Sequence, residues 1–346
     1  MDLGLVLQTD PPSQLLVDRL VRAEGQGFTH GWTFDSHLLW QEPFVLYGSV
    51  LERTEHLTVG PLVTNPATRD PSVLASMFAT LDERFGPRTV CAIGRGDSAL
   101  RTQGRPPTTL ARLEDATTLI RTLTGGGTLD TGDGSGPGSD DSDSTVLRLP
   151  WVAPGTPPVP VWVAGYGPKA LAMASRIADG FVLQLADPYL VRWTLDAVRQ
   201  AARDAGRDPA EITMCVAAPG YVTDGSATGL AHAREQCRWF GGMVGNHVAD
   251  LVERYGPGGA VPAELSDYIA ARQGYDYRHH GRAGNASTAF VPDAIVDRFC
   301  LLGPEAAHRE RLAELAELGV DQFALYAMHD AIDATTESYG RAVAGG

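Results

Sequence analysis

"VPVWVAGYGPKALAMA", residues 159–174, contains the patterns of a strand, a turn and a helix in immediate succession. The apolar, partly β-branched run from Val159 to Ala164 predicts a buried strand. From Ala170 onward the apolar residues recur at helical intervals. Pro168 suits the first position of this helix, where the missing N–H of proline costs nothing. The segment therefore predicts one strand–turn–helix unit of an α/β protein.

The same alternation recurs along the whole chain of 346 residues. Strand patterns occupy residues 3–9, 30–35, 57–65, 89–96, 159–165, 180–186, 212–222 and 322–329. Most are followed by an amphipathic helix, which predicts a closed (β/α)8 TIM barrel in a single domain, residues 1–346. An open Rossmann-type sheet is the alternative, but no Gly-x-Gly-x-x-Gly sequence follows the first strand.

Two segments depart from this repeat. Residues 125–144, "GGGTLDTGDGSGPGSDDSDS", are rich in Gly, Ser and Asp and contain almost nothing to bury, so we expect a mobile acidic loop. Residues 225–290, between strands seven and eight, are too long for a simple connection and carry helical patterns. We expect this second insertion to form a lid or wall over the barrel mouth.

Composition restricts the class of partner. The net charge of −14 and a pI near 5.0 argue against nucleic acid as a general partner. No apolar run reaches about 18 residues, so no membrane span is expected. The N-terminus lacks the basic start and long apolar run of a signal peptide, which predicts a cytoplasmic protein. The cysteines, which lack metal-ligand spacing, are expected to be free buried thiols: Cys91, Cys215, Cys237 and Cys300.

Lys169 is the only lysine of the chain and follows the turn Gly165–Pro168. A cation is normally unfavourable at a helix N-terminus because of the helix dipole. A phosphate bound to the N–H groups of the helix start would offset that cost. The glycines would let such a ligand approach the backbone closely. The pattern therefore fits a phosphate-binding loop, although a plain tight turn remains the alternative.

Several motifs stand at predicted strand ends: "FDSH" (34–37), "GPLVTNPATRDP" (60–71), "IGRGDSAL" (93–100), "AGYGPKALAMA" (164–174) and "FVPDAIVDRFCLLG" (290–303). In this order they make the chain resemble the bacterial-luciferase-like superfamily of barrel oxidoreductases. Within it, the chain is most similar to the coenzyme F420-dependent group that includes methylenetetrahydromethanopterin reductase. The resemblance covers most of the chain, apart from residues 125–144 and part of 225–285.

The resemblance implies where the cofactor binds. The loop after strand five would hold the cofactor phosphate on backbone amides, and a bulge in strand three with a non-prolyl cis peptide would support the back of the ring. The implied cofactor-binding residues are Asp35, Leu62, Val63, Thr64, Gly165, Tyr166, Gly167, Pro168 and Lys169, with the cis bond between Leu62 and Val63. The expected cofactor is coenzyme F420, with FMN as the alternative.

Asp35 ends strand two, on the face where barrel enzymes place catalytic groups. The resemblance implies that it hydrogen-bonds the deazaflavin edge, whereas capping of the next helix is the structural alternative. His37 and Asp97 are candidate proton carriers because both follow strands at this face, with a polar rim residue as the alternative for His37. Trp40 is a candidate for stacking on the substrate, with simple packing as its alternative.

The segment "GYDYRHHGRAG", residues 274–284, is dense in aromatic and cationic groups. Functional residues concentrate in such loops. We therefore expect a substrate wall for a planar or carboxylated ligand, formed by Tyr275, Tyr277, Arg278 and His279. A solvated loop with a chance cluster is the alternative.

Differences between this chain and the families it resembles restrict the class of substrate that we expect. The methylene-pterin reductases carry a glutamate in strand one where this chain has Val6, with Gln8 nearby, and residues 94–100 contain no glutamate like that of the sugar-phosphate dehydrogenases. The predicted reaction is hydride transfer between reduced F420 and a small cyclic C=N or conjugated C=C substrate. The alternative is an FMN-dependent two-component monooxygenase that acts on a small heterocycle or cyclic amide. A third hypothesis is a cofactor-binding or structural relative that has lost catalysis. A homodimer or higher homo-oligomer is expected.

Overall fold

The computed structural model describes residues 1–130, 146–255, 262–271 and 274–344. Most of the predicted acidic loop, from residue 131 onward, lies outside the described residues. Every predicted barrel strand is present, with shorter bounds. The strands are β1 (Asp2–Leu7), β2 (His30–Thr33), β3 (Thr58–Pro61), β4 (Cys91–Ile93), β5 (Leu129–Asp130), β6 (Val146–Leu147), β7 (Val161–Ala164), β8 (Gly180–Leu183), β9 (Thr213–Val222), β10 (Leu301–Gly303) and β11 (Gln322–Tyr326).

The main sheet is parallel and curls into a barrel. Its strand order is β3-β2-β1-β11-β9-β8-β7-β4, and β10 adds a branch on β9. In register, β1 places Gly4 opposite His30 of β2 and Asp2 opposite Gln322 of β11. Parallel bridges between Val59 and Thr89 and between Thr64 and Ile93 close the ring between β3 and β4. The predicted (β/α)8 TIM barrel is therefore confirmed.

Helices cover the outside of the barrel, and several begin with a proline behind an acidic cap. Asp70 and Asp187 accept hydrogen bonds from the N–H groups of Ser72 and Leu190. No helix within the described ranges is long and apolar enough to cross a membrane. The helices are α1 (Ser13–Gly25), α2 (Pro43–Leu51), α3 (Pro71–Phe85), α4 (Asp97–Arg101), α5 (Leu110–Thr124), α6 (Pro168–Ile177), α7 (Pro188–Asp204), α8 (Ala227–Tyr255), α9 (Ala263–Ala271), α10 (Asp293–Phe299), α11 (Glu305–Glu317) and α12 (Ile332–Ala344).

Two tryptophans fill the lower part of the barrel interior. The rings of Trp32 and Trp162 lie 5.3 Å apart, and His30 stacks on Trp32 at 5.3 Å. Glycines make room for them, because a Cβ atom on Gly4 or Gly180 would lie 2.5 Å from a tryptophan ring atom. Tryptophan burial contributes strongly to stability. The barrel interior at this level is thus a packed core.

The two predicted insertions differ in structure. Leu129 and Asp130 pair antiparallel with Leu147 and Val146. The early part of the predicted acidic loop therefore contains a short β-strand. The segment 225–290 contains α8, α9 and two short 3-10 turns. The side-chain amide of Gln8 donates a 2.8 Å hydrogen bond to the carbonyl of Gly281, which fixes this segment to the end of β1. Its action as a lid stays a prediction. All four cysteines are free and buried, as predicted.

Candidate functional site

A cavity of about 440 Å³ lies at the carboxyl ends of the barrel strands. Barrel enzymes place their active sites at this end. Residues that follow β2, β3, β4, β7 and β8 line it, and the 225–290 insertion also contributes to the wall. The lining includes Phe34, Asp35, Leu62, Val63, Asn65, Asp97, Arg101, Gly165, Tyr166, Gly167, Pro168, Lys169, Gln184, Met243, Tyr277 and His280.

The glycine loop after β7 forms one side of the cavity, as the sequence predicts. Gly167 has φ of +80°, a backbone conformation that favours glycine, and precedes the first helical residue, Pro168. The N–H groups of Ala170 and Leu171 both donate to the carbonyl of Gly167. Lys169 is exposed at the cavity edge and forms no ion pair within the part of the chain that the structure describes. The loop offers a helix N-terminus and a cation to an anion.

Below this loop, three neutral polar groups form a chain of hydrogen bonds. The hydroxyl of Tyr166 donates to Oε1 of Gln184 at 2.9 Å, and Nε2 of Gln184 lies 2.7 Å from the hydroxyl of Tyr326. Burial raises the pKa of Tyr166 and of Tyr326 well above the ordinary range, so both stay protonated. This side of the cavity is polar without charge.

The peptide bond between Leu62 and Val63 is cis, as the resemblance implies. Both residues line the cavity. The backbone then joins β4, because the N–H of Thr64 donates to Ala92 and the N–H of Gly94 donates to Thr64, both at 2.9 Å. Thr64 itself is buried, and its side chain bonds Asp35 instead of lining the cavity.

Asp35 is the buried carboxylate of the cavity. Its Oδ2 atom accepts a 2.6 Å hydrogen bond from the hydroxyl of Thr64 and forms an ion pair with Arg69. The other amino group of the Arg69 guanidinium forms an ion pair with Glu42. Its Oδ1 atom is buried and has no hydrogen-bond partner among the described residues. The alternative that Asp35 caps α2 is wrong, because the cap is Glu42, which accepts from the N–H of Phe44. A buried acceptor without a partner is costly unless a ligand supplies a donor.

Asn65 is the polar neighbour that the sequence analysis missed. Its Oδ1 atom accepts hydrogen bonds from the N–H groups of Ala67 and Thr68 at 3.1 and 3.0 Å. Its Nδ2 atom is buried and lacks a partner within the described part of the chain. The motif "TNPATRDP" was the available signal, since Asn before Pro favours turn formation. A ligand satisfies both residues if it offers a donor to Asp35 and an acceptor to Asn65.

The two other candidate proton carriers lie in different environments. His37 is exposed on a turn and is not part of the cavity lining. Asp97 is the first residue of α4 and lines the cavity, with its carboxylate 3.1 Å from Nε of Arg101. The guanidinium of Arg101 in turn lies 5.5 Å from the ring centre of Tyr277. Asp97 therefore keeps a position from which it can reach a ligand, whereas His37 does not.

The predicted substrate residues also differ in whether they line the cavity. Trp40 is buried against Phe34 at 5.0 Å, and Tyr275 is buried behind the cavity wall. Arg278 and His279 are exposed, and both bind Asp276. Within the set Trp40, Tyr275, Tyr277, Arg278 and His279, only Tyr277 lines the cavity. His280, which the sequence analysis did not select, also lines it.

The fold is a (β/α)8 barrel with a cavity at the carboxyl ends of its strands. The chain belongs to the luciferase-like monooxygenase family, whose model matches residues 1–322. It is 24% identical over 326 residues to 5,10-methylenetetrahydromethanopterin reductase of Methanolobus tindarius, and the match covers 93% of each chain.

Two solved structures illustrate the range of similar folds. The coenzyme F420-dependent tetrahydromethanopterin reductase of Methanopyrus kandleri has a TM-score of 0.73 at 19% identity, covering 99% of this chain and 98% of that one. The oxygenating constituent of 3,6-diketocamphane monooxygenase of Pseudomonas putida, in complex with FMN, has a TM-score of 0.66 at 15% identity and covers 100% and 98%. At these identities the likeness establishes the barrel fold alone.

Proposed function

We propose that this protein is an F420-dependent oxidoreductase that transfers a hydride between the deazaflavin and a small substrate. The observation that carries the proposal is the buried Oδ1 atom of Asp35, which lacks a partner among the described residues and belongs to a cavity-lining side chain. The relatives named as F420-dependent and as methylenetetrahydromethanopterin reductases support the choice of cofactor.

The residues present fit such a cofactor. The Gly165–Lys169 loop suits a phosphate because a helix N-terminus and a lysine adjoin the cavity there. Asp35 and Asn65 complement a ring edge that carries an N–H group beside a carbonyl group. Leu62 and Val63 offer an apolar face on the same lining. When bound, the deazaflavin would supply the hydride chemistry, and these residues would bind and orient it.

The substrate class that we propose is supported by the residues of the remaining wall. Phe34, Met243 and Tyr277 offer apolar and aromatic surface to a small planar molecule. Val6 is fully buried in β1, so no carboxylate occupies that position. These features favour a small cyclic C=N or conjugated C=C compound, and Asp97 is the cavity-lining group that we assign to proton delivery. We also propose a homodimer or higher homo-oligomer, which light scattering after size exclusion would test.

FMN-dependent monooxygenation is the second candidate, favoured by the structural likeness to an FMN-bound enzyme. The flavin ring carries the same N–H and carbonyl edge, so Asp35 and Asn65 do not separate the two cofactors.

Titration of the purified protein with F420 and, separately, with FMN, read by cofactor fluorescence, tests the choice. We expect saturable F420 binding at concentrations at least tenfold below those needed for FMN, where a tenfold ratio is about 1.4 kcal/mol. Preferential binding of FMN would transfer the assignment to the second candidate. Absence of binding by both would overturn the proposed function.

A further inference from the structure

Gln184 connects the glycine loop to two other strand ends of the barrel. It directly follows β8 and lines the cavity. The hydroxyl of Tyr166, in the loop after β7, donates to the Oε1 atom of Gln184 at 2.9 Å. The Nε2 atom of Gln184 donates at 2.7 Å to the hydroxyl of Tyr326, the last residue of β11. One side chain therefore joins the carboxyl ends of three strands, β7, β8 and β11.

Tyr326 gives this connection a fixed base. Its side chain is fully buried, and its ring meets Phe34 edge-on at 5.4 Å and Phe240 at 5.7 Å, with Trp239 stacked at 6.4 Å. Close-packed aromatic rings of this kind have little freedom to move. Burial raises the pKa of both Tyr166 and Tyr326, so the two hydroxyls stay protonated and the connection carries no charge.

Tyr166 carries the only side chain of the Gly165-Tyr166-Gly167 sequence, and Gly167 has a positive φ of +80°. Glycine loses more conformational freedom on ordering than any other residue. A ligand that had to order this loop would lose affinity by that cost, whereas a loop that is already held in place avoids it. The hydrogen bond of the Tyr166 hydroxyl therefore provides an attachment that the two glycines cannot provide.

We propose that Gln184 is a positioning residue that pre-forms the phosphate loop by holding Tyr166. The inference rests on the proposed function, in which the Gly165–Lys169 loop receives the cofactor phosphate. Because Gln184 acts through Tyr166, its removal should weaken the binding of cofactors that carry a phosphate. The binding of the same ring without a phosphate should stay unchanged. A residue that contacts the ring, or that only stabilises the fold, would not distinguish the two forms.

Two variants break the connection at different atoms. Q184L removes the amide and keeps an apolar side chain, and Y166F removes the hydroxyl and keeps the ring. Because both changes break the same hydrogen bond, the double variant should be no weaker than the weaker single variant. Y339F is the matched control, since Tyr339 is buried, lies outside the cavity lining and has its hydroxyl 2.9 Å from Nδ1 of His308. Thermal unfolding verifies that each variant is folded.

The first readout is the affinity for cofactor forms with and without a phosphate. Fluorescence titration compares FMN with riboflavin, and F420 with the deazariboflavin that remains when the phosphate and the groups beyond it are removed. We expect the wild type to bind the phosphate-bearing form of its cofactor at least tenfold more tightly. This ratio should fall about tenfold in Q184L and in Y166F and stay unchanged in Y339F. The dissociation constant of the phosphate-free form should stay within about twofold in all variants by the same scale.

The second readout is amide hydrogen exchange of the ligand-free protein, which needs no cofactor. Exchange rates report how often a segment opens, so they separate a held loop from a mobile one. We expect the amides of residues 165–169 to exchange about tenfold faster in Q184L and Y166F than in the wild type, with wild-type rates in Y339F. Unchanged exchange in Q184L and Y166F would overturn the proposal.

The outcomes separate this proposal from the proposed function. If the wild type binds neither F420 nor FMN, the proposed function fails and the phosphate role of Gln184 falls with it. If the wild type binds a cofactor and its phosphate-free form equally well, the cofactor assignment stands and the positioning role is overturned. If Q184L weakens the binding of both forms equally, Gln184 acts on the ring or on the fold, and the positioning role is again overturned.

Discussion

The hydroxyl of Thr64 donates a 2.6 Å hydrogen bond to the Oδ2 atom of Asp35, and both side chains are buried. Arg69 binds the same carboxylate oxygen. Both partners are donors to one oxygen of Asp35, and the buried Oδ1 atom has no hydrogen-bond partner among the described residues. This arrangement makes the effect of single-atom substitutions at Asp35 predictable.

Asp35→Asn should weaken cofactor binding. Thr64 and Arg69 are donors and will hold the amide oxygen, which turns the amide nitrogen toward the cavity and replaces an acceptor by a donor. An unpaired buried polar group costs about 1–3 kcal/mol, so we expect the F420 dissociation constant to rise about 10- to 100-fold. Fluorescence titration measures this. Asp97→Asn, on the same cavity but partly exposed, is the control and should keep the affinity while slowing turnover; equal affinities in D35N and wild type would contradict the assignment of Asp35.

Asn65→Asp should have the converse effect. The N–H groups of Ala67 and Thr68 will hold one carboxylate oxygen as they now hold the amide oxygen, and the second oxygen replaces the Nδ2 donor. We expect a rise in the dissociation constant of about 10- to 100-fold, for the same loss of about 1–3 kcal/mol. Isothermal calorimetry with F420 checks the affinity, and thermal unfolding checks that the fold is intact. An intact protein with unchanged affinity would remove Asn65 from the binding site.

Gly167→Ala tests the glycine loop. Gly167 has φ +80° and ψ 153°, a region that only glycine occupies without strain, so alanine should cost about 1–3 kcal/mol and distort the loop. Gly86→Ala is the matched control, because Gly86 has φ +84° and ψ 173° at the end of α3 and open space for a Cβ atom. Both variants should lose similar unfolding free energy in urea. Only G167A should also lose F420 affinity, by about tenfold or more on the 1.4 kcal/mol scale; equal affinities in the two variants would place the phosphate elsewhere.

Stability should fall on mild acidification because of three histidines. Burial lowers the pKa of His30, His308 and His329 to about 4 each, against 6.5 in the unfolded chain. Between pH 6.5 and 4 the unfolded state binds more protons, so the free energy of unfolding decreases as pH falls. Asp82 acts in the opposite sense below pH 6, since burial raises its pKa to about 6. The net effect is loss of stability over this window, measurable by urea unfolding at several pH values.

His329→Asn isolates one of these groups. Its Nε2 lies 2.9 Å from the carbonyl of Gly220, and the N–H of Ala331 donates to Nδ1 at 3.1 Å, which suits the neutral ring. Removing it should reduce the slope of stability against pH by up to about 1.4 kcal/mol per pH unit, the value for one proton. His56→Asn, at a side chain 87% exposed, is the control and should leave the slope unchanged. Identical slopes in H329N and wild type would show that His329 does not contribute.

The sequence by itself determined the features that depend on neighbouring residues. Strand and helix periodicity predicted the barrel because each unit is a local pattern. The Gly165–Lys169 loop was predictable for the same reason, since its glycine, proline and helix start are consecutive. The cis bond between Leu62 and Val63 came from the resemblance, because no local propensity distinguishes it from an ordinary strand end.

Only the tertiary structure decided which side chains reach the cavity. Asp35 and Arg69 are 34 residues apart, and closure of the barrel brings them into an ion pair. His280 meets Phe34 only because the insertion folds back over the end of β1, where Gln8 fixes it. Trp40 faces this packing instead of the cavity. Composition identifies a cluster of aromatic and cationic residues, but the direction of each side chain is set by packing between distant segments, which a local pattern does not encode.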